Sequence, residues 1–212
     1  MSIKQVVYHI THIDNISSII EDGYIYSDQI LNNSNSLTTI IGMSKIKKRR
    51  LLENRLRLYP ELFVGDCVPF YFNNRMPMLY LMKQNNHPEM SYSGGQEPIV
   101  HLVFDMNKIV KWAEKNGKHW LFTDSNAGSS KFNEFNNLSD IHSLNWVAIY
   151  AMQWKSCIEM KQAEFLVQDY IPINLIESIG TYSAYYRRSL KEILKNTAFE
   201  DMKITVETSW YY

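Results

Sequence analysis

The sequence has little cysteine and no excess of charge of either sign. Only two of its 212 residues are cysteine, Cys67 and Cys157, and their spacing is not that of a metal site. Lys and Arg together number 22, as do Asp and Glu, so the formal net charge is +0. The net charge therefore gives no support for a nucleic-acid-binding protein, and the cysteines favour a reducing cytoplasm with two buried thiols.

Long apolar runs and several common catalytic signatures are also absent. No stretch approaches the length of a membrane span, and the start "MSIKQVVYHI" lacks the apolar core of a signal peptide. We therefore expect a cytoplasmic protein with no membrane partner. The chain contains no G-x-G-x-x-G, P-loop, H-E-x-x-H or G-x-S-x-G motif. His9 and His12 would face opposite sides of a strand, so no metal is predicted.

Aromatic residues are what the sequence has in surplus, at 13% with fourteen Tyr and five Trp. Tyr and Trp suit pockets for planar rings as well as cores. About seven short strand-like segments, with amphipathic helices mostly in the N-terminal half, show no regular βαβ alternation. The sequence therefore predicts an α+β fold, with residues 1–212 forming a single domain.

Three local patterns carry specific expectations. "DCVPFYF" predicts a strand in which Pro69 indicates an edge or a bulge, and Tyr71 faces the side opposite Phe70 and Phe72, towards a cleft. "PINLIESIG" predicts a helical turn closed by Gly180, and residues 32–36 a polar loop.

The strongest local charge is a basic segment at residues 45–57, which holds seven of the 22 basic residues and one acid. Its spacing predicts a helix with Ile46 and Leu51 or Leu52 on one side and the bases on the other. Most such runs are solvated helix faces. The alternative is phosphate binding, because the planar Arg fork can bind two phosphate oxygens at once.

The segment "KQAEFLVQDY" begins a predicted strand with an acid, Glu164. Alternation would place Leu166 and Gln168 on the same face as Glu164, with Phe165 and Val167 on the other. Taken alone, Glu164 is expected to be a solvated carboxylate at the rim. The alternative is a carboxylate that stabilises the cation formed when a glycosidic bond breaks.

Six segments of the chain resemble, in order and spacing, the DarT family of DNA ADP-ribosyltransferase toxins. They are "YHITHIDNISSIIEDGYIYSD", "IIGMSKIKKRRL", "VGDCVPFYFNNRMPMLY", "SGGQEPIVHLVFD", "WLFTDSNA" and "KQAEFLVQD". The resemblance runs from residue 6 to the closing "WYY". It implies an ADP-ribosyltransferase-like fold, in which a split mixed β-sheet surrounds an NAD cleft. It also implies transfer of ADP-ribose from NAD to a base in single-stranded DNA, typically thymidine.

The same resemblance assigns roles to residues by motif position. Glu164 matches the catalytic glutamate, and Arg50 matches the essential arginine, with the adjacent Arg49 as the alternative for that role. Arg50 would also lie near the NAD phosphates. The residues implied for NAD binding are Thr11, His12, Asn15 and Tyr71, with Tyr71 as a wall beside the nicotinamide. Those implied for DNA binding are Lys47, Lys48, Arg49 and Asn126.

One position departs from part of the family. In some members "FTDS" is followed by His, whereas here Asn126 follows, which can form hydrogen bonds but cannot shuttle a proton. Three alternative acceptors of ADP-ribose therefore remain: a guanine base in DNA, an RNA, and a protein. Other classes also stay open: a non-catalytic module that binds NAD or nucleic acid, and a plain interaction protein. The resemblance further implies a macrodomain antitoxin of the DarG type as a partner.

Overall fold

The computed structural model describes residues 5–34, 39–129 and 131–212. Ten strands lie in these residues: β1 Val6–His12, β2 Tyr24–Tyr26, β3 Cys67–Tyr71, β4 Ile99–Asp105, β5 Trp120–Thr123, β6 Glu134–Phe135, β7 Glu164–Gln168, β8 Tyr170–Pro172, β9 Ser178–Thr181 and β10 Ile204–Val206. The same residues form eight α-helices: α1 Ile16–Asp22, α2 Asp28–Ser34, α3 Ser44–Leu52, α4 Pro77–Gln84, α5 Met106–Lys115, α6 Trp146–Ile149, α7 Ile158–Lys161 and α8 Ala184–Leu194.

Eight of the described strands form one mixed sheet in the order β10-β9-β4-β1-β3-β7-β5-β6. Strands β10 and β9 pair in parallel, and the other neighbours in this sheet pair antiparallel. Strands β2 and β8 form a separate antiparallel pair. The α+β class predicted from the sequence is therefore confirmed.

The helices are distributed more evenly than predicted. Helices α1 to α4 lie in the first half of the chain, but α5 to α8 follow from Met106 onward. Helix α1 ends at Asp22 and is followed by Gly23, whose φ of 75° is left-handed and is adopted most readily by glycine. Helix α2 extends to Ser34, so the first part of the predicted polar loop is helical, and its remainder, residues 35–36, lies outside the described residues.

The predicted helical turn closed by Gly180 is wrong in its second part. A short 3₁₀ turn covers Ile173–Leu175, but Gly180 lies inside β9. Strand β9 pairs with β4 on one side and β10 on the other. Hydrogen bonding to both neighbours outweighs the local tendency of glycine to end an element, and this pairing is not visible in a local pattern.

Pro69 lies on an interior strand, which corrects the prediction of an edge or bulge. Strand β3 pairs with β7 over five residues, but with β1 only where Tyr8 opposes Tyr71. Pro69 has no N–H to donate, and its carbonyl oxygen accepts instead from Nδ1–H of His9 at 2.9 Å. Strands β1 and β3 therefore part beside Pro69, and this gap is the split in the sheet.

Both faces of the sheet are packed. Phe165 and Val167 join the large core cluster that includes residues of α5 and α8, whereas Leu166 packs on the other face with Cys67 and Leu121. The alternation predicted for this segment is confirmed. Cys67 is buried as expected, while Cys157 is only half-buried, and both thiols are free.

Candidate active site

Glu164 is the first residue of β7 and opposes Tyr71 at the end of β3. Directly opposed residues of antiparallel strands project from the same face, so both side chains face the side away from Phe165. Only 2% of Glu164 is exposed. The expectation of a solvated rim carboxylate is wrong, because the split in the sheet places this strand end inside a cavity.

Arg50 of α3 makes a bidentate ion pair with Glu164. Its Nη1 lies 3.0 Å from Oε1 and 2.9 Å from Oε2, and its Nη2 lies 2.9 Å from Oε2. The side chains are 11% and 3% exposed, respectively. Arg50 of the basic helix therefore turns inward, whereas Lys48 is exposed to solvent as expected for a charged helix face. Of the two adjacent arginines, the structure brings Arg50 to Glu164.

The end of β5 and the loop after it complete the surroundings of Glu164. The N–H of Ala127 donates to Oε1 of Glu164 at 3.0 Å. The hydroxyl of Thr123 accepts from the N–H of Glu164 at 3.1 Å and donates to Ser125 O at 2.6 Å. An ionised carboxylate has about four acceptor positions, and three guanidinium contacts with one amide contact occupy them all.

The Arg50 guanidinium keeps its charge at any physiological pH. Burial lowers the pKa of the Arg50 guanidinium, but Glu164, Tyr71 and Asp28 together raise it above its ordinary value. Burial and the Glu164 carboxylate raise the pKa of Tyr71, with Arg50 opposing them. Tyr71 therefore stays a neutral phenol that can stack or donate a hydrogen bond, while Arg50 remains a cation.

The pair lies in a cavity of about 380 Å³ at the split in the sheet. Its walls come from β1, β3, α1 to α4, β2 and the segment before β7. Residues predicted for NAD or DNA binding that line it are Thr11, Asn15, Lys47, Arg50, Tyr71 and Asn126. Volumes of this size are typical of small-molecule sites.

Three predicted residues do not line the cavity among the described residues: His12, Lys48 and Arg49. His12 ends β1, and its Nδ1 accepts from the N–H of Asp14 at 3.2 Å. The NAD-binding role of His12 and the DNA-binding roles of the two bases stay predictions.

Sequence reasoning missed much of the cavity lining, including the polar or aromatic side chains of His9, Asp28, Trp154 and Gln162. Burial lowers the pKa of His9, although its bond to Pro69 opposes the shift. Asp28 lies 2.9 Å from Lys47 and joins α2 to α3. His9, Asp28 and Gln162 lie in segments that carried the family resemblance, but Trp154 lies outside them.

The arrangement is suited to stabilising a cation next to a bound planar ring. A buried carboxylate supplies the negative charge, and a tyrosine face and a fixed guanidinium lie beside it. Within residues 5–34, 39–129 and 131–212, no group of three or more His, Cys, Asp or Glu could hold a metal ion. No helix of this described part is long and apolar enough to cross a membrane.

Comparisons with known proteins agree with this geometry. The family model described as "ssDNA thymidine ADP-ribosyltransferase, DarT" matches residues 8–212. The DNA ADP-ribosyl transferase of Thermus sp. (strain 2.9) is 35% identical, with 97% of this chain and 95% of that protein covered. The DNA ADP-ribosyl transferase-DNA ADP-ribosyl glycohydrolase fusion protein of Thermosipho africanus is 27% identical, with 90% of this chain and 46% of that protein covered.

Two solved structures of Thermus sp. 2.9 DarT superimpose on nearly the whole chain. The complex with ADP-ribosylated ssDNA gives a TM-score of 0.84 at 33% identity, covering 99% of this chain and 97% of that one. The complex with NAD⁺ gives a TM-score of 0.80 at 31% identity, covering 99% and 98%.

Proposed function

Because this chain belongs to the DarT family of DNA ADP-ribosyltransferases, we propose that it transfers ADP-ribose from NAD to thymidine in single-stranded DNA. The enzyme class is that of the family: an NAD-dependent DNA ADP-ribosyltransferase. The observation that carries the proposal is the buried bidentate pair of Arg50 with Glu164, which lies inside the cavity at the split of the sheet.

Glu164 acts on the NAD side of the reaction. Its carboxylate accepts a hydrogen bond from a hydroxyl of the nicotinamide ribose and stabilises the oxocarbenium ion as the bond from C1′ to nicotinamide breaks. All four acceptor positions of Glu164 are occupied in this structure, so the hydroxyl must replace one donor. The N–H of Ala127 belongs to the backbone, so an N–H of Arg50 is the donor that gives way.

The displaced edge of Arg50 then faces the pyrophosphate or the incoming base. A thymine ring nitrogen forms the new bond to C1′ and loses its proton to the Glu164 carboxylate, either directly or by a relay in which Arg50 gives one N–H proton to Glu164 as it takes up the proton of thymine. Because base pairing occupies this nitrogen in a duplex, a single strand avoids an unpairing cost of a few kcal/mol. Tyr71 is the wall beside the nicotinamide and the base.

The remaining predicted residues have binding roles in this proposal. Thr11, His12 and Asn15 serve the NAD side, and Lys47, Lys48, Arg49 and Asn126 serve the DNA side. Phosphate contacts from the basic helix account for DNA binding by a chain with no net charge. Asn126 lies in the cavity wall, and Ala127, the next residue, donates to Glu164. This position supports a contact of Asn126 with the reacting base.

We further propose that residues 1–212 form one ADP-ribosyltransferase domain that acts as a toxin in the cytoplasm. Its partner would be a macrodomain antitoxin of the DarG type that removes ADP-ribose from DNA. The fusion of a transferase with a glycohydrolase in Thermosipho africanus supports such a pairing.

The test uses purified protein, labelled NAD and four single-stranded oligonucleotides, each lacking one base type. The proposal expects label on every strand that contains thymine, and none with Glu164→Gln. Glu114→Gln, on the exposed face of α5, is the matched control and should label like the wild type. Label that depends on guanine would mean that guanine, not thymine, is the modified base, and Asn126 would be the first residue to substitute. No label on any DNA, from folded protein that binds NAD, would refute the DNA substrate and direct the assay to RNA and protein.

A further inference from the structure

Asn15 holds a neighbouring segment of the chain in place through its side-chain amide. Its Oδ1 accepts from the N–H of Thr39 at 2.6 Å, and its Nδ2 donates to Thr39 O at 3.0 Å. The same Nδ2 also donates to the hydroxyl of Thr11 at 3.0 Å. Both amide hydrogens are therefore used within the protein. Asn15 and Thr11 are 8% and 5% exposed, so these bonds are sheltered from water.

The segment held by this amide forms part of the cavity wall. Residues 39–43 all line the cavity, and Met43 is the N-cap of α3, the helix that carries Arg50. Farther along the segment, the side chains of Lys45 and Lys47 make ion pairs with Glu89 and Asp28. Both pairs involve partly or largely exposed side chains, which contribute little in water. The two-point contact of Asn15 with Thr39 is a sheltered polar attachment of this wall.

We propose that Asn15 is a positioning residue: it fixes residues 39–43 in the shape that admits NAD, with Thr11 orienting its amide. This inference rests on the proposed function, and it gives Asn15 a role other than direct contact with NAD. A buried asparagine whose two N–H groups are already satisfied gains nothing by donating to a ligand unless it releases Thr39 or Thr11.

Three variants of Asn15 and Thr11 test the inference. Asn15→Asp keeps the acceptor for the N–H of Thr39 and loses both donors. Thr11→Val removes only the hydroxyl acceptor, and Thr11→Ser retains it. Asn86→Asp, at an exposed position, adds the same charge as a control. The measurements are hydrogen exchange of residues 39–43 in NAD-free protein, and KM for NAD and kcat in the transfer assay.

For Asn15→Asp we expect faster exchange of residues 39–43 without NAD and a KM for NAD raised about tenfold, with kcat changed by less than about threefold. Thr11→Val should shift both quantities in the same direction by less, and Thr11→Ser should exchange residues 39–43 more slowly than Thr11→Val because it keeps the hydroxyl acceptor. Asn86→Asp should match the wild type. If Asn15→Asp does not fold, the difference in exchange of residues 39–43 between Thr11→Val and Thr11→Ser tests the inference instead.

Two outcomes would overturn the inference. A raised KM with unchanged exchange of the NAD-free segment would mean that Asn15 contacts NAD directly. Unchanged exchange and unchanged KM would mean that the contact with Thr39 has no role in binding. Failure of the proposed function looks different, because the wild type itself would then transfer no label to DNA, while the exchange experiment would still report on the contact.

Discussion

Glu164→Gln removes one negative charge from a buried pair while preserving side-chain shape. The Gln oxygen can still accept from the N–H of Ala127, but its NH₂ group would face the Arg50 guanidinium, donor against donor. Arg50, with a side chain only 11% exposed, would keep its charge without its main partner.

The magnitude follows from the burial of the pair. Breaking a buried ion pair from one side costs roughly 3–5 kcal/mol, because the other charge is left uncompensated. Asp28 also acts on Arg50 electrostatically, which places the expected cost near the lower end, about 3 kcal/mol. For a chain of this length that corresponds to a fall in Tm of roughly 6–12 °C. Arg50→Met should cost a similar amount, since it leaves Glu164 with the N–H of Ala127 alone.

Urea unfolding of the wild type, both single variants and the double variant measures the coupling. The double variant should be more stable than the sum of the single effects predicts, by about 2 kcal/mol. Glu114→Gln should change the free energy of unfolding by less than about 0.5 kcal/mol, because Glu114 is exposed. Transfer to DNA should be lost in Glu164→Gln and in the double variant alike.

The reasoning would be refuted by additive single effects in the double variant. It would equally fail if Glu164→Gln unfolded at the same urea concentration as the wild type. Either result would mean that the Arg50–Glu164 contact contributes no interaction energy to the fold.

Three further predictions address the site and its surroundings. Arg50→Lys keeps the charge but cannot span both carboxylate oxygens, so single-turnover transfer should fall about 10²-fold while the protein remains folded. Burial lowers the pKa of Lys161 from 10.5 to about 8. Between these two pH values Lys161 is protonated in the unfolded chain and neutral in the folded protein, so the free energy of unfolding should rise with pH. Urea unfolding should show this rise in the wild type relative to Lys161→Met. Gly65→Ala would place a Cβ 2.9 Å from Cα of Leu51 in α3, so thermal unfolding should show a loss of about 1–3 kcal/mol in the free energy of unfolding. Gly42→Ala is the control and should lose far less, because nothing lies within 4 Å of the added carbon.

Local periodicity predicted the elements that carry the pair. Apolar residues at helical spacing in a basic segment indicated α3, and strict alternation indicated β7 with Glu164 at its start. These predictions succeed because spacing within a few residues determines which side chains share a face. The roles given to Arg50 and Glu164 came from the ordered family segments, and the structure places the two side chains in contact.

Other features depend on contacts between distant parts of the chain. Pro69 reads locally as an edge residue, but it lies on a strand between β1 and β7, where its carbonyl oxygen accepts from the side chain of His9, 60 residues away. Gly180 reads as a stop, but it lies in a strand because β4 and β10 pair on either side of it. Asn15 reads as a ligand residue, and only the fold brings Thr39 to its amide.

Local patterns in the sequence predicted the α+β class, the basic helix, the alternation of β7 and an acid at its first residue. Long-range packing buries this acid and brings Arg50, rather than Arg49, into contact with it. The physical reason is distance along the chain. Arg50 and Glu164 are 114 residues apart, and no local pattern reports which charges a split sheet will bring together inside one cavity.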